Sequence, residues 1–130
     1  MARYTFAEFG DWAEKTEDKM LRVARQSIQD VVSIAQTPVA KGGPMPVDTS
    51  VLRNSLASDL NGAELAKGPD SFVLVVAEFR LGDVAKFSWT AEYARPRHYM
   101  VDVGQGGGMW RDIAAAQFPE IVKKNIEAVK

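Results

Sequence analysis

One long amphipathic segment near the start of the chain constrains the fold more than any other feature. It opens on Thr5-Phe6-Ala7-Glu8, a capping-box pattern in which the Thr and Glu side chains each satisfy a backbone N–H of a starting helix. From Asp11 to Gln36 the apolar residues recur mainly at steps of three and four, and the charged residues lie mostly on the other faces. Thr37-Pro38 ends the pattern, because the residue before a proline is pushed out of α geometry. We therefore predict one helix over about residues 6–36.

A loop rich in proline and glycine follows this helix. Residues 38–47 begin Pro-Val-Ala-Lys-Gly-Gly-Pro-Met-Pro, a composition that neither continues a helix nor joins a central strand. The composition fits either an ordered or a mobile loop. Asp48 is a candidate N-cap for a short helical turn over residues 48–55. In that turn we expect Leu52 to pack inward and Arg53 to point outward, toward a carboxylate or a neighbouring subunit.

The centre of the chain carries strand and turn signals. Asn61-Gly62 and Gly68-Pro69-Asp70 are turn patterns, with strands expected between and after them. We place strands at about residues 56–61, 72–81, 84–93 and 98–103. The second and third of these predict a hairpin around Gly82-Asp83 that covers the long helix with one face. A two-residue loop there would mix apolar and polar residues on that face, so we predict a three-residue loop or a bulge.

The last part of the chain predicts a glycine-rich loop and then a helix. Gly104-Gln105-Gly106-Gly107-Gly108 is the loop, and residues 112–129 keep helical spacing of apolar residues. Pro119 either kinks this helix or stands at the first position of a separate helix that begins near Phe118. The predicted fold is α+β, a single domain over residues 1–130. A long N-terminal helix and a C-terminal helix pack on a small, mainly antiparallel β-sheet.

Charge and residue usage exclude several classes of protein. The 16 Lys and Arg residues nearly balance the 17 Asp and Glu residues, so no global field attracts nucleic acid or an anionic membrane. The absence of cysteine and the single histidine exclude disulfides, thiolate nucleophiles and nearly every zinc site. We expect no cofactor and no metal. Residues 1–9 lack the features of a signal peptide, and no uncharged stretch approaches the ~20 residues of a bilayer span, so no membrane partner is expected.

The single histidine, His98, is the only candidate for acid–base catalysis by an imidazole. It lies in Arg95-Pro96-Arg97-His98-Tyr99, and the chain contains no Gly-x-Ser-x-Gly nucleophile motif. A loop histidine beside two arginines is far more often a surface contact than a base with a positioned partner. We therefore predict that the protein is not an enzyme.

Arginine and aromatic residues concentrate in the last third of the chain. The arginines can pair with phosphates and the aromatic rings can stack on bases, as in a small nucleic-acid-binding module. The same residue types are the usual anchors of protein interfaces, and the nearly neutral net charge favours that interpretation. The residues concerned are Arg95, Arg97 and Arg111 with Tyr93, Tyr99 and Trp110.

The most specific stretch of the sequence is Pro46-Val47-Asp48-Thr49-Ser50-Val51-Leu52-Arg53-Asn54-Ser55. It resembles the Pro-Val-Asp-Thr-Gly-x-Leu-Arg-x-Ser signature of the neck and tail-completion family of long-tailed bacteriophages and related prophages. The similarity extends to Trp12-Ala13, the helix exit Ala35-Gln36-Thr37-Pro38-Val39, the central strands and the Gly108-Met109 step into a final helix. Ser50 departs from the usual glycine. His98 and Met100 also replace the glutamate and glycine of a later family pattern.

The resemblance implies a non-enzymatic virion protein of the neck, present in the host cytoplasm during assembly. Such a protein forms a homo-oligomeric ring, sixfold by resemblance, between the head-closure or adaptor protein and the tail terminator or tail tube. DNA passes through its channel without sequence-specific binding. The nucleic-acid-binding module is the alternative. The residues we expect at interfaces are Pro46, Asp48, Thr49, Leu52, Arg53, Arg95, Arg97, Trp110 and Arg111.

Overall fold

The chain folds as α+β, with a long N-terminal helix, two C-terminal helices and a small antiparallel sheet. The computed structural model describes residues 6–46, 51–92, 94, 98 and 109–129, and the side chains from residue 13 onward. The helices are α1 (Phe6–Gln36), α2 (Val51–Asn54), α3 (Phe72–Glu78), α4 (Trp110–Ala116) and α5 (Phe118–Ala128). The strands are β1 (Leu56–Leu60), β2 (Ala63–Lys67) and β3 (Ala85–Trp89).

Helix α1 ends at Gln36, as Thr37-Pro38 predict, and Thr5 of the predicted capping box lies outside the described residues. Its 31 residues give it a length of about 46 Å. The second half packs against the rest of the chain and buries Val32 and Ala35. These two residues belong to two core clusters, and Val31 and Trp89 pack against both. A single helix face therefore supports the whole core.

The sheet has the order β2-β1-β3, and both pairs are antiparallel. Asn61 and Gly62 connect β1 to β2 with φ angles of 53° and 84°. Such a pair of positive φ angles matches the twist of a two-residue hairpin, which explains the asparagine and glycine there. The turn signal at Asn61-Gly62 is confirmed, and β2 is the strand expected between the two turn patterns.

The predicted strand at 72–81 is wrong, because this segment forms α3. The buried residues Phe72, Val75, Val76 and Phe79 follow helical spacing, whereas Val73 and Leu74 are half exposed. Tertiary burial of this face overrides the strand preference of valine. The hairpin around Gly82-Asp83 is therefore wrong as well.

Strand β3 pairs with β1 in the place of the predicted hairpin partner. Phe87 stands opposite Ser58, and Trp89 stands opposite Leu56. The strand is shorter than the predicted 84–93. Of the predicted strand at 98–103, His98 has helical backbone and residues 99–103 lie outside the described part of the chain.

A polar network ties the turn before β3 to the β1–β2 hairpin. The Asn61 amide donates to Asp83 Oδ1 at 3.1 Å, and Asn61 Oδ1 accepts from the Val84 N–H at 2.9 Å. The Arg80 N–H donates to Asp83 Oδ2 at 2.8 Å. The hydrogen bond from Asn61, and then that from Arg80, lowers the pKa of Asp83. These bonds fix the entry of β3 without help from the core.

The C-terminal helix is divided in two. Helix α4 begins at Trp110, two residues before the predicted start, and α5 begins at Phe118 with Pro119 in its first turn. Of the two alternatives for Pro119, the separate helix is confirmed. The predicted glycine-rich loop 104–108 lies outside the described residues.

The loop after α1 is ordered over the described residues 38–46. The Met45 N–H donates to Thr37 O and the Val39 N–H donates to Met45 O, both at 3.0 Å. Between these bonds residues Val39–Lys41 form a turn of 3-10 helix. The loop thus folds back on the end of α1 and buries Met45 completely.

Gly43 lies where this loop touches the end of α1, so Gly43→Ala is expected to destabilise the protein. A Cβ atom on Gly43 would collide with the carbonyl oxygen and Cβ of Thr37. Because the backbone must move to relieve this overlap, we expect a loss of about 1–3 kcal/mol. Urea unfolding measures it, with Lys41→Ala in the same loop as the exposed control. Equal stability of the two variants would contradict the packing described.

Candidate functional site

Gln36 joins the end of α1 to three other parts of the chain. Its amide nitrogen donates to Arg53 O and to Pro69 O, both at 2.9 Å. Its Oε1 accepts a hydrogen bond of 2.7 Å from Trp89 Nε1. The residue is only 2% exposed, so these bonds are shielded from water. Gln36 therefore holds α2, the turn before α3 and β3 in one arrangement.

Arg53 belongs to the same junction. Its Nε donates to the backbone oxygen of Gln36 at 2.9 Å, and its guanidinium lies 3.9 Å from the Asp70 carboxylate. A cation at the end of a helix also stabilises the exposed carbonyl groups there. The carboxylate expected beside Arg53 is thus found within its own chain, and the side chain is one-third exposed.

Of the other interface residues predicted in the motif, two are buried in the chain and two lie outside the described residues. Pro46 and Leu52 are buried within the chain. Asp48 and Thr49 lie outside the described residues. Pro46, Leu52 and Arg53 therefore hold the connection after α1 in place, and only Arg53 among them offers side-chain surface to another molecule.

Trp110 is a core residue, in contrast to its predicted place at an interface. It is 1% exposed and packs edge-to-face against Trp89, with ring centroids 5.9 Å apart. It makes the same kind of contact with His98, at 4.8 Å. Within the described part of the chain its Nε1 has no hydrogen-bond partner. The glycine-rich sequence that precedes Trp110 does not indicate that the ring is buried.

His98 was expected at the surface, and the structure places it inside. It is 5% exposed and lies 3.9 Å from the Asp112 carboxylate. Burial lowers the pKa of His98 from its usual 6.5, and the positive charge of Arg111 adds to this effect, whereas Asp112 opposes it. The imidazole is therefore held in its neutral form beside the Trp110 ring.

We expect the stability of the protein to decrease as the pH falls through the range in which histidine titrates. The unfolded chain takes up a proton at the ordinary pKa, and folded His98 takes one up only at lower pH. Between about pH 7.5 and 5.5 the unfolded state thus gains protons that the folded state does not, and folding loses stability. Urea unfolding across this range measures the slope. His98→Phe keeps a ring in place and should flatten the slope, and an unchanged slope would contradict this assignment.

The arginine patch predicted for nucleic acid is placed only in part. Arg111 is exposed, and its Nε donates to Asp112 at 3.0 Å. Arg95 and Arg97 lie outside the described residues. Burial of Trp110 removes its ring face from the set that can stack on a base. The described part of the chain therefore offers one arginine of the predicted patch at the surface.

An apolar groove lies between α1 and α5. It encloses about 610 Å³ and is open along one side. Its large side chains are half exposed, with Met20 at 55%, Ile126 at 44%, Leu81 at 43% and Phe118 at 39%. We call this surface the α1–α5 groove. Its walls are Thr16, Lys19, Met20, Val23, Ala24 and Ser27 on α1, Phe118, Val122, Ile126 and Val129 at α5, and Leu81.

Sequence reasoning missed this groove, although part of the signal was present. Helix α5 carries two apolar rows, of which one faces α1 through Ile121 and the other, with Phe118 and Ile126, lines the groove. A helix with a broad apolar face of this kind has more apolar surface than one neighbour covers.

Two further features limit the kinds of site that the described residues can form. No helix among them is both long enough and apolar enough to cross a bilayer. No group of three or more His, Asp or Glu side chains in the described ranges is arranged to hold a metal ion.

Comparison with known proteins returned no relative of this chain. No protein family, no curated protein and no solved structure matches it. The resemblance to neck proteins therefore rests on the residues quoted above.

Proposed function

We propose that this chain is a structural protein of the phage neck. It acts as a tail-completion or head-tail joining protein that forms a homo-oligomeric ring between the head-closure complex and the tail. Its neighbours in this proposal are further copies of itself, the head-closure or adaptor protein, and the tail terminator or tail tube. DNA passes through the ring without sequence-specific contacts.

The α1–α5 groove is the observation that supports self-association most directly. Large exposed apolar patches on small proteins mark surfaces that other proteins cover. The groove places four half-exposed large side chains side by side on a chain of 130 residues. Covering it removes from water an apolar surface that the isolated chain leaves exposed, which is favourable in proportion to the area.

The arrangement of the motif residues supports the same proposal in a different way. Gln36 and Arg53 fix the end of α1 against α2 and the turn before α3 through partly buried hydrogen bonds. A subunit of a ring must keep its backbone conformation when it binds its neighbours. A rigid junction between α1, α2 and the turn before α3 supplies that rigidity. In this proposal the motif maintains the subunit, and the groove makes the contact between subunits.

Native mass spectrometry and electron microscopy of the concentrated protein test this proposal. We expect an assembly whose mass is a multiple of 14.3 kDa, six copies by resemblance, with a central opening. Tailed particles produced from the genome that carries this sequence should contain the chain at the junction of head and tail. A chain that stays monomeric at every concentration and is missing from the particles would overturn the proposal.

A further inference from the structure

The α1–α5 groove has the dimensions of a binding site for a short helix. It extends along α1 from Thr16 to Ser27 and along α5 from Phe118 to Val129. At 1.5 Å per residue each wall is about 16 Å long, which corresponds to three helical turns. Grooves of this form between two helices bind an amphipathic helix by its apolar residues at steps of three and four.

The first turns of α1 come before the part of the helix that joins the core. Ala13, Glu14 and Lys15 are exposed, and α1 joins the core clusters only from Ile28 onward. The segment Phe6–Lys15, which we call the α1 arm, is about 15 Å long and so matches the groove. Since α1 itself forms one wall of the groove, the arm of the same chain lies past the end of the groove and does not fill it.

The sequence of the α1 arm suits an apolar groove. Phe6, Phe9 and Ala13 recur at steps of three and four, and this spacing continues through Thr16, Met20 and Val23, three residues of the groove wall. The apolar spacing of the arm is therefore the same as that of the α1 residues that border α5 farther along the chain.

Charge on the two surfaces is complementary. The α1 arm contains three acidic residues, Glu8, Asp11 and Glu14, against one lysine. Lys19 lines the groove, and Lys123 is exposed on α5 directly after Val122 of the groove wall. By helical register, the acidic residues of α5, Glu120 and Glu127, lie on the side away from the groove. The groove thus presents Lys19 to an acidic helix.

We infer that the α1 arm of one copy occupies the α1–α5 groove of the next copy. This inference rests on the proposed self-association and specifies its interface. The contact joins two different surfaces, so each subunit has one arm to insert and one groove to receive. Such a heterologous contact closes into a ring when the rotation between neighbours is a whole fraction of a turn. It is the kind of contact that a cyclic neck component requires.

Cross-linking through single cysteines tests the inference, because the natural sequence has no cysteine. Ala13→Cys places a thiol on the arm, and Val122→Cys places one at the middle of the groove. When the two variants are mixed and treated with a short bismaleimide, we expect covalent dimers that contain one chain of each kind, as identified by mass. Glu64→Cys on the exposed face of β2 replaces Val122→Cys in the control mixture, and it should give no dimers above background.

Ile126→Glu provides a second test that does not depend on cross-linking. It places a charge in the groove, and it should weaken self-association about tenfold or more while the far-UV circular dichroism stays unchanged. Ile113→Glu is the matched control, because Ile113 is also 44% exposed but lies on α4 away from the groove.

The outcomes separate this inference from the proposed function. One outcome is that Ile126→Glu forms rings normally and that the Ala13→Cys and Val122→Cys variants give no mixed dimers. This outcome would overturn the arm-in-groove contact and leave the proposed ring intact. Dimers from Val122→Cys alone would show a groove-to-groove contact and would also overturn the inference. A wild-type chain that stays monomeric at every concentration and is missing from the particles would overturn both.

Discussion

Trp110→Ala should lower the free energy of unfolding by about 3–5 kcal/mol, the range found when a large buried aromatic side chain is removed. Trp110 is 1% exposed and lies in the cluster that holds Ala35, Met45, Leu52 and Ala114. Its loss would leave a cavity between α1, α4 and β3, and it would also remove the edge-to-face contacts with Trp89 and His98. Urea unfolding, followed by circular dichroism, measures the effect as a shift of the midpoint at constant slope.

Trp110→Phe separates packing from hydrogen bonding at this position. The indole Nε1 has no partner among the described residues, so the loss of its N–H should cost little, and the phenyl ring refills much of the space. We expect less than half of the alanine effect. A loss for Trp110→Ala below about 1 kcal/mol would place this ring at the surface, as the sequence had suggested.

The parts of the fold that were predicted correctly are those with a strong local signal. The C-terminal end of α1 follows from Thr37-Pro38, and the β1–β2 turn follows from Asn61-Gly62. Each of these signals acts within a few residues of the chain. The interactions that produce them are present before any tertiary contact forms.

The segment 72–81 shows why the prediction failed elsewhere. Its valines satisfy the period of a strand as well as that of a helix, and only the partner surface decides between the two. The predicted hairpin also placed apolar residues opposite polar ones unless an extra residue was inserted. That conflict was a sign that β3 pairs with another strand, and in the structure it pairs with β1.

The candidate surfaces were harder to predict because they depend on distant parts of the chain. Gln36 bonds to residues 17, 33 and 53 positions away. The α1–α5 groove exists because α5 packs against the middle of α1 and leaves its earlier turns uncovered. Local sequence patterns predict neither the hydrogen-bond partners of a buried amide nor how much of a helix its neighbour leaves uncovered.

Gln36→Ala is expected to cost about 1.5–4.5 kcal/mol, since it removes the partner of three partly buried groups at about 0.5–1.5 kcal/mol for each hydrogen bond. The groups are the Trp89 indole N–H and the carbonyl oxygens of Arg53 and Pro69. Gln26→Ala is the matched control on the same helix, because Gln26 is exposed and bonds only to Asp30 among the contacts described. It should change the stability by less than about 0.5 kcal/mol.

A double-mutant cycle measures the coupling energy of the hydrogen bond between Trp89 and Gln36. Trp89→Phe removes the indole N–H that donates to Gln36 Oε1. In that background Gln36→Ala no longer leaves an indole N–H without its hydrogen-bond partner. The second substitution should then cost less than it does in the wild type, by about 1 kcal/mol or more. Strict additivity of the two variants would mean that this bond is not formed in solution. The contact of α1 with α2 and the turn before α3 would then be held by the two bonds that the Gln36 amide donates and by the Arg53 Nε bond to Gln36 O.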